Sequence, residues 1–143
     1  MSKQRLYWFC QIFGWSVYGI LQISLLSALG GVNTNFVIGE VFQVAFYVIL
    51  THIFRGLIIK IGWLKYKWYG ILPRFLGANF ILSIIHYLFL ILISSFTGEL
   101  NPTVDFQPLS IIASLLISTT LFFFWSMLYI SFHYFDRYNK SLQ

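Results

Sequence analysis

Four long apolar stretches constrain this chain more than any other feature. They cover residues 6–29, 36–59, 71–96 and 109–135 and hold few charged side chains. Each is about 24–27 residues, and at 1.5 Å per residue that is about 36–40 Å of helix. A hydrocarbon core is about 30 Å thick, so each stretch spans it with room for tilt. Barrel strands would be about 10 residues long and would alternate in polarity. The runs are long and nearly continuous, so the expected fold is all-α, an integral membrane four-helix bundle.

Composition excludes the alternatives. The chain is 59% hydrophobic and 9% charged, with a mean hydropathy of +0.80. A soluble domain is about 25% charged, and one this apolar would lack the polar surface to stay monomeric. Abundant Ile, Leu, Val and Phe exclude disorder. The single Cys10 excludes a disulfide scaffold and reads as a small buried apolar residue. The net charge of +5 does not point to nucleic acid, because the nine basic residues are dispersed along an apolar chain.

Three links separate the stretches. Residues 30–35 form a short turn, and residues 62–70 are rich in Trp, Tyr and Lys. Residues 97–108 are the longest link, with Gly98, Pro102 and Pro108 as breakers. No internal repeat and no second domain is visible. Residues 136–143 read as the start of a cytoplasmic linker.

The basic residues set an expected orientation. Lys3 and Arg5 precede the first stretch. Arg55, Lys60, Lys65, Lys67 and Arg74 surround the second link, and Arg137 and Lys140 follow the fourth stretch. The other two links carry only Glu99 and Asp105 as charges. The positive-inside rule then places both termini in the cytoplasm. Trp8, Trp63, Trp68 and Tyr69 fit the aromatic belt on that side. The first stretch is too long for a cleavable signal and lacks a small-residue cleavage site.

Polar residues inside the spans fall in helical stripes. Gln11, Trp15, Tyr18 and Gln22 share one face of the first span. Glu40, Gln43, Tyr47, Thr51 and Arg55 share one face of the second. Asn79, Ser83 and His86 line up in the third, and Ser114, Ser118, Trp125 and Tyr129 in the fourth. Unpaired polar groups are costly in hydrocarbon, so these faces should turn inward and meet. Interhelical hydrogen bonding is the simpler reading; a ligand pocket or sensing cavity is the sharper one. The candidate sensing or packing residues are Gln11, Trp15, Tyr18, Gln22, Glu40, Gln43, Tyr47, Asn79, His86, Trp125 and Tyr129.

Glu40 is an intramembrane carboxylate, a functional hint by default. It lies about one turn inside the outer boundary, where water is expected to reach it. Arg55 and Lys60 lie where snorkelling suffices. His52, His86 and His133 are not spaced as paired axial ligands, and no Glu-x-x-His pair offers a carboxylate metal site. No cofactor or metal is expected. Nucleotide-binding, hydrolase and zinc-protease motifs do not occur, so no catalysis is expected of this chain alone.

Several segments carry a family resemblance. Residues Tyr7 to Tyr18 read YWFCQIFGWSVY, which is similar to the opening of the membrane domain in LytS/YehU-type sensor histidine kinases. Residues Leu50 to Arg55 (LTHIFR), Gly62-Trp63-Leu64 and Leu72-Pro73-Arg74 resemble the family's next segments in order. Trp125 to Tyr138 resembles its exit toward the kinase.

The resemblance implies an input domain, dimeric with itself, that passes a signal through the fourth helix to a cytoplasmic kinase module absent from this chain. Trp125, Leu128, Tyr129 and Phe132 would form the packed face that moves. The family's phospho-accepting His lies beyond the matching region, so none of His52, His86 or His133 takes that role. The alternatives are a non-catalytic membrane scaffold or subunit, and a small proton-coupled drug-type transporter.

Overall fold

The computed structural model describes residues 3–142. Helix α1 is Lys3–Ala28, α2 is Thr34–Ile61 and α3 is Trp68–Thr97. The short α4, Pro102–Asp105, precedes α5, Pro108–Ser141. Four of these are long and apolar enough to cross a membrane, which supports a four-span membrane protein. Their outward faces carry Phe9, Ile20, Val41, Phe80, Leu116 and Phe124, all exposed. Such a surface suits lipid and not water.

Local chemistry explains the helix limits. Asn33 caps α2 by accepting a hydrogen bond from the Phe36 N–H at 2.7 Å. Gly62 and Gly98 end α2 and α3 with φ near +75°, a backbone state that glycine reaches without cost. Pro108 opens α5, where its missing N–H is harmless. Pro102 does the same for α4, which Asn101 caps at Thr103.

Two helices run beyond the apolar stretches. Helix α5 does not stop at the apolar boundary but continues to Ser141, so most of the expected linker is helical. Asp136 and Lys140 support that extension as an i, i+4 ion pair at 3.1 Å. Trp68 and Tyr69 belong to the first turn of α3, and only a single 3-10 turn, Trp63–Lys65, occupies the link before it.

The helices pack as a series with one loose seam. Helix α1 packs on α2, α2 on α3, and α3 most extensively on α5. Helices α1 and α5 meet far less closely. At one end of the bundle Lys3 pairs with Asp136, and the Tyr134 hydroxyl donates to the Tyr66 carbonyl at 2.9 Å. At the other end Asn33 donates to Glu99 at 2.9 Å.

The α3–α5 seam is close because its residues are small or polar. Ser126 Oγ lies 3.0 Å from Asn79 Oδ1, with the Phe122 carbonyl closer at 2.7 Å; the Ser83 and Thr119 hydroxyls lie 2.8 Å apart, and His86 Nδ1 meets Ser118 at 2.9 Å. Small side chains let membrane helices approach, and their hydroxyls join across the seam.

Candidate functional site

The α1–α5 seam is built around Gln11, which is almost fully buried. Its Oε1 accepts from the indole N–H of Trp15 at 3.1 Å and of Trp125 at 3.0 Å. Its Nε2 donates to the Tyr7 hydroxyl at 2.7 Å. Thr51 Oγ1 lies 3.3 Å from Gln11 Oε1, but its hydrogen serves the closer Tyr47 carbonyl at 2.7 Å. One amide therefore joins α1 to α5 and neighbours α2.

Beside this amide the two helices splay apart, leaving a cavity of about 870 Å³. Tyr7, Gln11, Trp15 and Tyr18 line it from α1, and Trp125, Tyr129 and Phe132 from α5. Arg55 reaches it from α2, with its guanidinium 4.2 Å from the centre of the Tyr7 ring. Lys3, His133 and Asp136 close its polar end. The volume falls within the range of small-molecule sites, and the walls are mostly apolar with a few polar groups. The geometry suits binding of an amphiphile.

A ring stack connects this cavity to the tight seam. Tyr47 of α2 stacks on Trp15 of α1 at 4.4 Å and on His86 of α3 at 4.3 Å. His86 in turn meets Ser118 of α5 through Nδ1 and Gln43 through Nε2, the latter at 3.3 Å. Both ring nitrogens are thus engaged inside the bundle, and Phe122 packs edge-on against the same ring. The four long helices converge on the pair Tyr47–His86.

The stripes expected from the sequence all turn inward. Gln11, Trp15, Glu40, Tyr47, Asn79 and His86 are buried. Tyr18, Gln22, Gln43, Trp125 and Tyr129 are half-buried. Gln22 donates to the Tyr18 hydroxyl at 2.8 Å. The structure joins Gln11, Trp15 and Trp125 in one group, and Gln43, Tyr47 and His86 in another.

Glu40 is 5% exposed and lies against Gly19 of α1, and its Oε1 is enclosed without a hydrogen-bond partner. Two expectations are corrected. Leu128 and Phe132 are not part of a packed face; both are exposed and line the cavity. Cys10 is likewise exposed on the cavity wall, because α1 turns that edge away from α2. The sequence reading missed Tyr7 as a site residue, although it stands one turn before Gln11 on the same face.

Among the described residues, no group of three or more His, Cys, Asp or Glu gathers to hold a metal ion. No family model, curated protein or solved structure matches the chain.

Proposed function

We propose that this chain is the membrane-embedded input domain of a sensor histidine kinase, acting as a homodimer in a bacterial inner membrane with both termini cytoplasmic. The observation that carries the reading is where the kinase-like segments meet. Tyr7, Gln11 and Trp15 come from the segment resembling the family's opening. Trp125 and Tyr129 come from the segment resembling its exit. All five line one cavity.

The mechanism follows from the two sides of α5. Its α3 side is fixed by close packing, and its α1 side rests on side chains bridging an opening. A stimulus that binds the cavity biases the α1–α5 spacing by its differential affinity for the two packings. Helix α5 is continuous from the cavity to Ser141, so a change at Trp125 is carried beyond the apolar boundary. The distribution of Lys and Arg supports the orientation.

Reading the native locus past Gln143 tests this. An open frame that runs into a helical linker, a phospho-accepting His box and an ATP-binding domain is the expected result. An immediate stop codon, with no kinase copurifying with the chain, contradicts it and favours the scaffold.

The unpartnered Oε1 of Glu40 is the one feature that favours the transporter instead. Proton-coupled flux in proteoliposomes that is lost in Glu40→Gln would establish that reading; no flux in either protein would remove it.

A further inference from the structure

A second cavity, of about 480 Å³, opens at the bundle end where α1 begins and α5 ends. Its cations come from two distant parts of the chain: Lys65 and Lys67 from the α2–α3 link, and Arg137 from α5. Its walls are Tyr66, Trp68, Tyr69 and Tyr134. No carboxylate is among the lining residues. Asp136, next to Arg137 in sequence, is held by Lys3 and Lys140 and lines the other cavity.

A specific contact holds the link beside α5. The Tyr134 hydroxyl donates to the Tyr66 carbonyl at 2.9 Å, which ties the link to α5. The close packing of α3 on α5 already brings these parts of the chain together, and this hydrogen bond fixes the link against α5. Like charges gathered without an acid repel one another, and an anion relieves that repulsion. The position selects the anion. Trp68 and Tyr69 are 71% and 62% exposed at the first turn of a membrane-spanning helix, where amphipathic rings sit at headgroup level.

We propose that this cavity binds the phosphate headgroup of an anionic membrane phospholipid. Lys65, Lys67 and Arg137 take the phosphate, and the exposed Trp68 and Tyr69 rings border the glycerol and upper acyl region. Basic pockets between membrane helices hold anionic headgroups by the same chemistry. Because the site spans the link and α5, an occupied cavity fastens the end of α5 to the α2–α3 link. The proposal does not depend on the kinase reading.

The test uses the full chain in nanodiscs of phosphatidylcholine containing a minority of spin-labelled phosphatidylglycerol. The immobilised fraction of labelled lipid is the readout. The wild type retains phosphatidylglycerol, and Lys67→Gln or Arg137→Gln each weakens retention about fivefold. Lys60→Gln, which removes a charge at the same bundle end but outside the cavity, leaves it unchanged. Tyr134→Phe keeps every charge, releases the link from α5, and also weakens retention. Equal loss in Lys60→Gln would overturn the proposal in favour of diffuse surface attraction. Retention unaffected by both Arg137→Gln and Tyr134→Phe would overturn it outright. Soluble glycerol phosphate competing as well as lipid would show a free-phosphate site instead.

Discussion

The two seams that α5 makes with its neighbours use opposite materials. Toward α3 it offers Ser118, Thr119 and Ser126, and the helices close around short hydrogen bonds. Toward α1 it offers Trp125 and Tyr129, and the helices stand apart with one indole reaching Gln11. Small residues give a seam whose geometry is set by backbone approach. Large aromatic residues give a seam that rings can span in more than one way. A helix held rigidly on one side and adjustably on the other is suited to passing on a change at the adjustable side.

The largest effect is expected where that rigidity is concentrated. Ser83 is fully buried against Thr119, so Ser83→Leu should overpack the α3–α5 seam and cost about 1–3 kcal/mol. Reversible unfolding in mixed micelles measures this. A loss smaller than that from any α1 substitution would reverse the ranking of the two seams.

A comparable but relievable effect belongs to α1 on α2. A Cβ at Gly19 would lie 2.5 Å from Val44 Cγ2, far inside contact distance. Gly19→Ala should destabilise by about 1–2 kcal/mol, and adding Val44→Ala should restore most of the loss. Failure of the second substitution to restore stability would show that α1 is not positioned by this approach.

The α1–α5 seam should respond more weakly. A hydrogen bond between membrane helices contributes about 0.6 kcal/mol on average. The coupling between Gln11→Leu and Trp125→Phe in a double-mutant cycle should be about that size. Gln11→Leu alone should cost more, because two indole N–H groups lose their acceptor. A coupling of several kcal/mol would make this seam as fixed as the other.

The smallest effect is expected at the exposed pair Lys3–Asp136. Asp136→Asn should leave the unfolding midpoint unchanged, since surface ion pairs contribute little. A clear loss of stability would mean that the pair, and not Gln11, holds the two helices together.

The sequence reading reached the spans and the inward stripes for a simple reason. Apolar length and a 3.6-residue period are properties of a single helix, and Gln11, Tyr47 and His86 declare their faces without reference to any partner. It did not reach which faces meet. Leu128 and Phe132 follow Trp125 at helical spacing, so periodicity alone puts all of them in a packed seam. Only the splay between α1 and α5 leaves the two exposed. Glu40 shows the same limit: its depth along α2 was legible, but its enclosure depends on Gly19 letting α1 come close. The helical run from Asp136 to Ser141 is polar, so hydropathy does not mark it; the i, i+4 spacing of Asp136 and Lys140 is the sequence signal that helix can pass the apolar boundary.

The adjustable seam itself is most directly tested by distance distributions between paired spin labels in nanodiscs. One pair uses the native Cys10 with Leu128→Cys, across α1 and α5. The other uses Ile81→Cys with Met127→Cys in a Cys10→Ser background, across α3 and α5. The expected result is a narrow single distance for the second pair and a broader or two-peaked distribution for the first. Two equally narrow distributions would mean that α1 and α5 are as fixed as α3 and α5, and would contradict a movable seam.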